Sequence, residues 1–216
     1  MSEMSEHPIL YHAPFACSLA ARIAAQEAGL DLEVIHVDLD THRTEHDTSF
    51  LDVNPLGQVS TLIFPQGGIL TETSAILIWI QSRSQDPVFR REPETDAYFQ
   101  MLRWIGFCAT ELHKQIFRIV FYDEATEAVK DRIRALAPAR FEVLERHLTG
   151  QDYLLGEAFS AADAYLTWAL FLSERAGIAP LNYPHLQAYL TRAQARPAVR
   201  AMIEADSRQV EPNNNS

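Results

Sequence analysis

The chain has 216 residues, of which 47% are hydrophobic and 22% charged, a composition typical of a folded globular protein. Its formal net charge of −11 argues against a surface for nucleic acid or an anionic membrane, because both need clustered lysine and arginine. With two cysteines, no apolar run of about 18 residues and no signal-peptide pattern at the N-terminus, we expect no disulfide framework and no membrane span, and predict a cytoplasmic protein.

The N-terminal part of the chain begins with a strand, a helix and a second strand. Ile9–Tyr11 and Leu32–Asp38 are short β-rich runs. Between them, apolar residues repeat at helical spacing over residues 17–29, and Gly29 supplies a stop signal. Because the connection is short, we expect the two strands to pair in parallel.

The next segments predict two further strands and a helix. Residues 41–53 are polar and histidine-rich, and we expect them to be irregular or a short helix. Val59–Phe64 and Ile69–Leu70 predict a hairpin, and Glu72–Ser84 predicts a helix with its apolar side chains turned inward. The order β-α-β followed by β-β-α is that of a thioredoxin-like domain, which we assign to residues 8–84.

The rest of the chain is predicted to be an all-helical bundle over residues 94–206, after a proline-containing linker at 85–93. Amphipathic patterns cover residues 94–121, 126–149, 160–176 and 185–206. Pro138 should kink or interrupt the second of these helices. Ser160 and Asp163 form a capping-box signature at the start of the third. We predict that residues 207–216 are a disordered tail.

Cys17 is the first candidate for chemistry, because it lies where the first helix should begin. A helix N-terminus favours a thiolate and lowers the pKa of a thiol. Ala20 stands where a thioredoxin-type second thiol would be, so exchange would need an outside thiol. The alternative is that Cys17 is a small buried residue in a loop.

Two further stretches can bind a polar ligand with their backbone. The helix N-terminus at Glu72 and Thr73 can bind a carboxylate, while the Glu72 side chain can accept from an ammonium group. The pair would suit an α-amino-acid head group, although an ordinary helix cap has the same sequence. The extended run that begins at Val59 can pair with a peptide-like ligand, and Ser18 offers a hydroxyl beside Cys17.

In the helical half, His113 is a candidate for facing the first domain, although a lone histidine is more often an ordinary surface residue. His36, His42 and His46 lack the spacing of metal ligands on one element, so we predict no metal site. Six aromatic residues are candidates for lining an apolar pocket, with a core or subunit interface as the alternative: Tyr98, Trp104, Phe107, Phe117, Phe121 and Tyr122.

Taken together, these segments resemble a known family over residues 8–206. The motifs are Pro14-Phe15-Ala16-Cys17-Ser18-Leu19, Glu27-Ala28-Gly29-Leu30-Asp31, Val37-Asp38-Leu39, Asn54-Pro55-Leu56-Gly57-Gln58-Val59, Leu70-Thr71-Glu72 with Ala75-Ile76, Glu111-Leu112-His113-Lys114, Phe159-Ser160-Ala161-Ala162-Asp163-Ala164-Tyr165 and Arg196-Pro197-Ala198-Val199. In this order they resemble the cytosolic glutathione transferases, most closely the bacterial beta class. The resemblance implies a thioredoxin-like domain joined to a helical domain, a homodimer, and glutathione as co-substrate between the domains.

The resemblance also implies a transferase activity used in detoxification. Glutathione sulfur would add to a hydrophobic electrophile, with lyase, dehalogenase or thiol-transferase variants open. Cys17 would contact the glutathione sulfur or form a mixed disulfide with it, and Ser18 belongs to the same loop. Val59 would pair with the cysteinyl unit, Glu72–Thr73 would hold the γ-glutamyl head group, and His113 would reach the active site.

The chain departs from the family pattern at two positions. A family lysine before the third strand is missing, so His42 or Arg43 has to replace it in binding glutathione. Ser60 replaces the family's cis-proline after the valine, and a cis bond costs more free energy before serine than before proline. We predict that the Val59–Ser60 bond stays cis, because the preceding loop is kept. The alternative function is a non-catalytic binding or interaction protein of this fold, with glutathione binding impaired by Ser60.

Overall fold

The structure, a computed structural model, describes residues 6–210. Residues 1–5 and 211–216 lie outside this range. They include the start of the segment in which we find no signal-peptide pattern and the end of the predicted tail. The strands are β1 Ile9–His12, β2 Glu33–Asp38, β3 Arg43–Thr44, β4 Thr61–Ile63 and β5 Ile69–Thr71. The α-helices are α1 Ser18–Ala28, α2 Thr73–Arg83, α3 Asp96–Phe107, α4 Arg118–Val120, α5 Glu127–Arg134, α6 Ala137–His147, α7 Ala161–Arg175, α8 Pro184–Gln194 and α9 Pro197–Val210. A 3₁₀ turn covers Phe50–Asp52, and a π-helix, Cys108–Phe117, joins α3 to α4.

The strands form one mixed sheet in the order β3-β2-β1-β4-β5. In β1, Leu10 lies opposite Val34 of the parallel strand β2 and opposite Leu62 of the antiparallel strand β4. The predicted β-α-β and β-β-α units are therefore confirmed. The sequence did not predict β3, which pairs with β2. A strand of two residues is too short to leave a periodic pattern, and it lies in a segment that we expected to be irregular or a short helix.

Helix α1 joins the sheet half of the molecule to the helical half, since it packs against α2, α7 and α9. Its alanines 20, 21 and 24 are fully buried. Small side chains allow the neighbouring helices to approach closely, and the hydrophobic core runs without a break from the sheet into the helices. The predicted inward residues of α2, Ile76, Leu77 and Ile80, are also fully buried.

The helices of the second half follow the predicted patterns with two differences: a π-helix lies within the first pattern, and the fourth pattern, residues 185–206, is divided between α8 and α9. The first pattern is a continuous helical segment, residues 96–120, whose middle is the π-helix. The second is interrupted between Arg134 and Ala137, as Pro138 predicted; Pro138 sits in the first turn of α6, where its missing N–H removes no helical hydrogen bond. No helix in the described residues is long and apolar enough to cross a membrane.

Two helix ends in the second half bear on the predicted bounds, the start of α7 and the end of α9. Asp163 accepts the Ser160 N–H at 2.9 Å and the Leu154 N–H at 2.8 Å, which confirms the predicted capping interaction at α7. At the other end, α9 continues to Val210, so the prediction of a disordered tail is wrong for residues 207–210. Helix α9 as a whole packs on α1 and α8, a contact that the local composition does not reveal.

Candidate functional site

A cleft of about 210 Å³ lies between the sheet domain and the helical domain. The sheet side supplies Cys17, Asn54, Leu56, Gln58, Val59, Ser60, Thr71, Glu72 and Thr73. The helical side supplies Ala109, Thr110, His113, Lys114 and Tyr165. Six of the eight predicted site residues meet here, and the other two, Ser18 and His42, do not line the cleft.

Cys17 caps α1, and its carbonyl accepts the Ala20 N–H at 3.1 Å. The side chain is 5% exposed, and its thiol donates to the Val59 carbonyl oxygen at 3.2 Å. Burial raises the pKa of the Cys17 thiol, although Thr73, Lys114 and Ser60 favour the thiolate. The predicted lowering of this pKa is therefore wrong: desolvation outweighs the helix N-terminus, and Cys17 is a neutral hydrogen-bond donor at neutral pH.

Ser18 lies outside the cleft. Its side chain is fully buried, 2.7 Å from Nδ1 of His12, and its Oγ accepts the Ala13 N–H at 3.4 Å. The predicted sulfur-side role of Ser18 is not supported, because the first turn of α1 directs this residue into the interior while Cys17 faces the cleft.

The loop before Cys17 is held by the helical domain. Phe15 has a positive φ of 59°, a backbone conformation that is strained for a non-glycine residue. Its N–H donates to Oδ2 of Asp206 at 2.8 Å, and its carbonyl accepts from Nε1 of Trp168 at 2.9 Å. Two residues from α7 and α9 thus fix the loop that carries Cys17, and neither was predicted from the sequence.

The segment around Val59 is held by a side chain and extends beyond the sheet. Asn54 donates to the Gln58 carbonyl at 2.8 Å and accepts the Leu56 N–H at 3.1 Å. The Val59–Ser60 peptide bond is cis, as predicted. No residue within 6–210 pairs with the Val59 N–H, which is therefore available to a ligand. Ser60 is buried, with its hydroxyl 3.1 Å from that of Thr73.

Glu72 occupies the corner between β5 and α2. Its backbone has φ 68° and ψ 118°, a conformation that costs a non-glycine residue about 1–3 kcal/mol. The side chain is exposed and forms no ion pair with any residue of the described chain. A strained backbone that carries an unpaired carboxylate into a cleft points to a role in binding. Thr73, the first residue of α2, lies buried beside it.

His113 projects from the π-helix into the cleft. Its Nδ1 lies 2.7 Å from the Tyr165 hydroxyl, and its ring packs edge-on against Trp168 at 4.8 Å between centroids. Burial, followed by the charges of Lys114 and Arg118, lowers the pKa of His113 to about 4. The imidazole is therefore neutral near pH 7, and the π-helix, a feature often found at functional sites, sets its position.

This pKa predicts a pH dependence of stability. Between about pH 6.5 and pH 4, the unfolded chain binds a proton at His113 that the folded protein does not bind. The free energy of unfolding should fall as the pH is lowered through this window, by up to about 3 kcal/mol for this group. Urea unfolding of the wild type and His113→Gln at several pH values measures the difference. Curves that stay parallel from pH 7 to pH 4 would contradict this pKa.

The chain is similar to known proteins over most of its length. Residues 7–82 match the glutathione S-transferase N-terminal domain, and residues 107–197 match the glutathione S-transferase C-terminal domain. The chain is 30% identical over 197 residues to glutathione S-transferase GstA of Escherichia coli O157:H7, covering 91% of this chain and 98% of that protein. The chain belongs to the glutathione S-transferase family.

Solved structures of the family agree with this fold. A sphingomonad glutathione S-transferase complexed with glutathione is 34% identical, with a TM-score of 0.86 and coverage of 92% of this chain and 98% of that one. The beta-class glutathione S-transferase of Sphingomonas chungbukensis is 32% identical, with the same TM-score and coverage. The predicted fold, and the predicted resemblance to the bacterial beta class, are confirmed.

Within this glutathione S-transferase, neither proposed replacement for the missing lysine reaches the cleft. Arg43 pairs with Asp47 through Nε at 2.5 Å. His42 lies behind the cleft loop, against Gly57, where a Cβ would come within 2.6 Å of the His42 ring. Gly57 also has a positive φ of 61°, so the loop passes over His42 only because the residue is glycine.

Eight cleft-lining residues were not predicted as site residues. Six of them appear in the sequence analysis only within the family motifs: Asn54, Leu56, Gln58, Thr71, Lys114 and Tyr165. The other two, Ala109 and Thr110, were not singled out. The signal for Lys114 was its position directly after His113. The aromatic residues considered for an apolar pocket do not line the cleft: Trp104 and Phe117 are core residues, and Phe121 and Tyr122 are about half exposed. In residues 6–210, no group of three or more histidine, cysteine, aspartate or glutamate side chains could hold a metal ion.

Proposed function

We propose that this protein is a glutathione S-transferase that binds glutathione in the cleft and transfers its thiolate to a small electrophile. The observation that supports the proposal is the convergence of Cys17, Val59, Glu72–Thr73 and His113 on one cleft from four separate stretches of the chain. A protein that served only a structural purpose would have no need for a carboxylate and a backbone N–H in one cleft that are both unpaired within the described residues.

The two ends of glutathione have matching partners. The γ-glutamyl ammonium would pair with the unpaired Glu72 carboxylate, and its carboxylate would accept from the α2 N-terminus and the Thr73 hydroxyl. The cysteinyl unit would pair with the Val59 backbone, whose N–H is free. This arrangement directs the glutathione sulfur toward Cys17 and the helical wall.

At the sulfur, the protein would act by stabilising negative charge rather than by supplying its own thiolate. Cys17 is a neutral thiol at the N-terminus of α1, and its S–H would turn from the Val59 carbonyl to donate to a neighbouring anion. The positive charge of Lys114 lies close enough to favour a thiolate near Cys17. Glutathione would lose its thiol proton to solvent, and its sulfur would form the new bond to the electrophilic carbon.

Four further points stay predictions: the homodimer, the detoxification role, the cytoplasmic location, and the lyase, dehalogenase or thiol-transferase variants of the activity. The described chain leaves apolar side chains such as Leu56 and Phe99 exposed, 73% and 54% respectively, which a second copy would cover. The non-catalytic alternative predicts weak glutathione binding and no turnover.

Calorimetric titration with glutathione, followed by turnover of 1-chloro-2,4-dinitrobenzene, tests the proposal. We expect saturable binding and a conjugation rate that depends on glutathione, since the carboxylate, backbone and donor groups are all in one cleft. No binding at millimolar glutathione would overturn the proposal. Binding without conjugation of this or any other electrophile would favour the non-catalytic alternative.

A further inference from the structure

The cleft contains one positively charged side chain, Lys114, that has no partner. The sequence has two lysines, Lys114 and Lys130. Lys130 pairs with Glu127 at 3.5 Å on α5, away from the cleft. Lys114 is exposed in the cleft lining, and no residue between 6 and 210 forms an ion pair or hydrogen bond with it.

Nearby acidic groups do not neutralise Lys114. Glu111, one turn earlier, is held by Arg140 at 2.8 Å. Glu72, the single carboxylate among the cleft-lining residues, comes from the sheet domain, where the proposed function assigns it to the glutathione ammonium. Arg118, one turn after Lys114, adds a second positive charge near His113. The helical wall is therefore locally positive in a chain whose net charge is −11.

The remainder of that wall is small or neutral. Ala109 leaves space in the cleft, and the His113 ring and the Tyr165 hydroxyl, bonded to each other, are neutral polar groups. Because Lys114 is the one charged side chain among the described residues that line this wall, its ammonium group can select an electrophile that carries an anion.

Resting on the proposed function, we propose that Lys114 makes the cleft prefer electrophiles that carry a carboxylate or a similar anionic group over neutral electrophiles. The ammonium group would pair with the anion of the substrate and orient its electrophilic carbon toward the glutathione sulfur. Lys114 is thus a specificity-determining residue on the electrophile side of the cleft.

A matched pair of aryl chlorides tests this preference: 4-chloro-3,5-dinitrobenzoate and its methyl ester. In both compounds the glutathione thiolate attacks the ring carbon that bears chlorine. A carbon–sulfur bond forms, the carbon–chlorine bond breaks, chloride leaves, and the thiol proton goes to solvent. The compounds differ by one negative charge, and dividing kcat/KM of the acid by kcat/KM of the ester cancels effects on glutathione activation that both reactions share.

In Lys114→Met, this ratio should fall about fivefold, the effect of losing one partly exposed ion pair. Lys114→Arg should restore most of the ratio, because it keeps the charge. Lys130→Met, which removes the other lysine, should leave the ratio at the wild-type value. Raising the salt concentration should lower the ratio in the wild type and have little effect in Lys114→Met, because salt screens the ion pair.

Three outcomes would overturn the inference. An equal loss for both compounds in Lys114→Met would show that Lys114 acts only on the thiolate. A rise in KM for glutathione with an unchanged ratio would show that it binds the glycine carboxylate of glutathione. An unchanged ratio with unchanged kinetics would show that it does neither. In all three cases glutathione-dependent turnover remains, so the proposed function stands; absence of turnover with both compounds would overturn both.

Discussion

Replacing Asp206 with asparagine is expected to lower the free energy of unfolding by about 3–5 kcal/mol, the cost of breaking a buried ion pair from one side. The carboxylate is fully buried, with Arg22 and His12 at Oδ1 and the Phe15 N–H at Oδ2. Asparagine offers one acceptor oxygen, and its NH₂ group would face another donor. Urea unfolding followed by circular dichroism measures the change.

The positions of the protons around Asp206 support the large loss of stability expected for Asp206→Asn. Burial lowers the pKa of His12, so its ring is neutral near pH 7. The Ser18 hydroxyl can then donate to Nδ1, at 2.7 Å, which leaves the Nε2 proton to donate to Asp206 at 3.0 Å. All the groups around the Asp206 carboxylate are then donors, and none of them can satisfy the amide of an asparagine.

Asp152→Asn is the matched control, because Asp152 is exposed and pairs with Arg192 at 3.4 Å. That variant should lose about 1 kcal/mol or less. The double variant Asp206→Leu/Arg22→Met should lose less than the sum of its single changes, since it leaves no unpaired charge. An Asp206→Asn protein within about 1 kcal/mol of the wild type would refute the assigned role of the network.

Replacing Glu72 with glutamine is expected to raise the dissociation constant of glutathione roughly ten- to 100-fold. A hydrogen bond between charged groups contributes about 1.5–3 kcal/mol, and the glutamine cannot form an ion pair with the γ-glutamyl ammonium. The side chain keeps its size, and the backbone conformation of the corner is available to glutamine to the same degree. Calorimetric titration with glutathione measures the change.

A second ligand separates the charge effect from a change in shape. Glutaryl-cysteinyl-glycine lacks the ammonium group and should bind the wild type as weakly as glutathione binds Glu72→Gln. The variant should not distinguish the two ligands. Glu94→Gln provides the control, since Glu94 is also exposed with a positive φ of 67° but does not line the cleft. Equal affinity of the wild type for both ligands would remove Glu72 from the glutathione site.

The stretches that the sequence predicted well carry their signal locally. These signals act between neighbours within a few residues. They are the period of the apolar residues, Gly29 at the end of α1, the capping pair Ser160 and Asp163, and Pro138. The cleft segments around Cys17, Val59, Glu72 and His113 were found in the same way, by their positions at helix starts or strand ends and by their family motifs. Their convergence followed from the predicted topology.

The sequence failed where distant parts of the chain determine the environment. Cys17 stands at a helix N-terminus, which predicts a low pKa, yet burial under the helical domain raises the pKa. Ser18 directly follows Cys17, but its hydroxyl contacts the His12 ring. That ring in turn contacts Asp206, which lies 188 positions after Ser18 in the chain. His42 lies near the missing lysine in sequence and behind Gly57 in space.

By itself, the sequence therefore determined the family, the two-part fold and the stretches that form the cleft, because strand and helix periodicity, caps and turns depend on short-range contacts. The tertiary structure alone decided the charge state of Cys17, the interior position of Ser18, the support of Phe15 by Trp168 and Asp206, and the unpaired state of Lys114. Each of these features depends on burial or on which side chains the fold brings together or keeps apart, and neither leaves a mark in the local sequence.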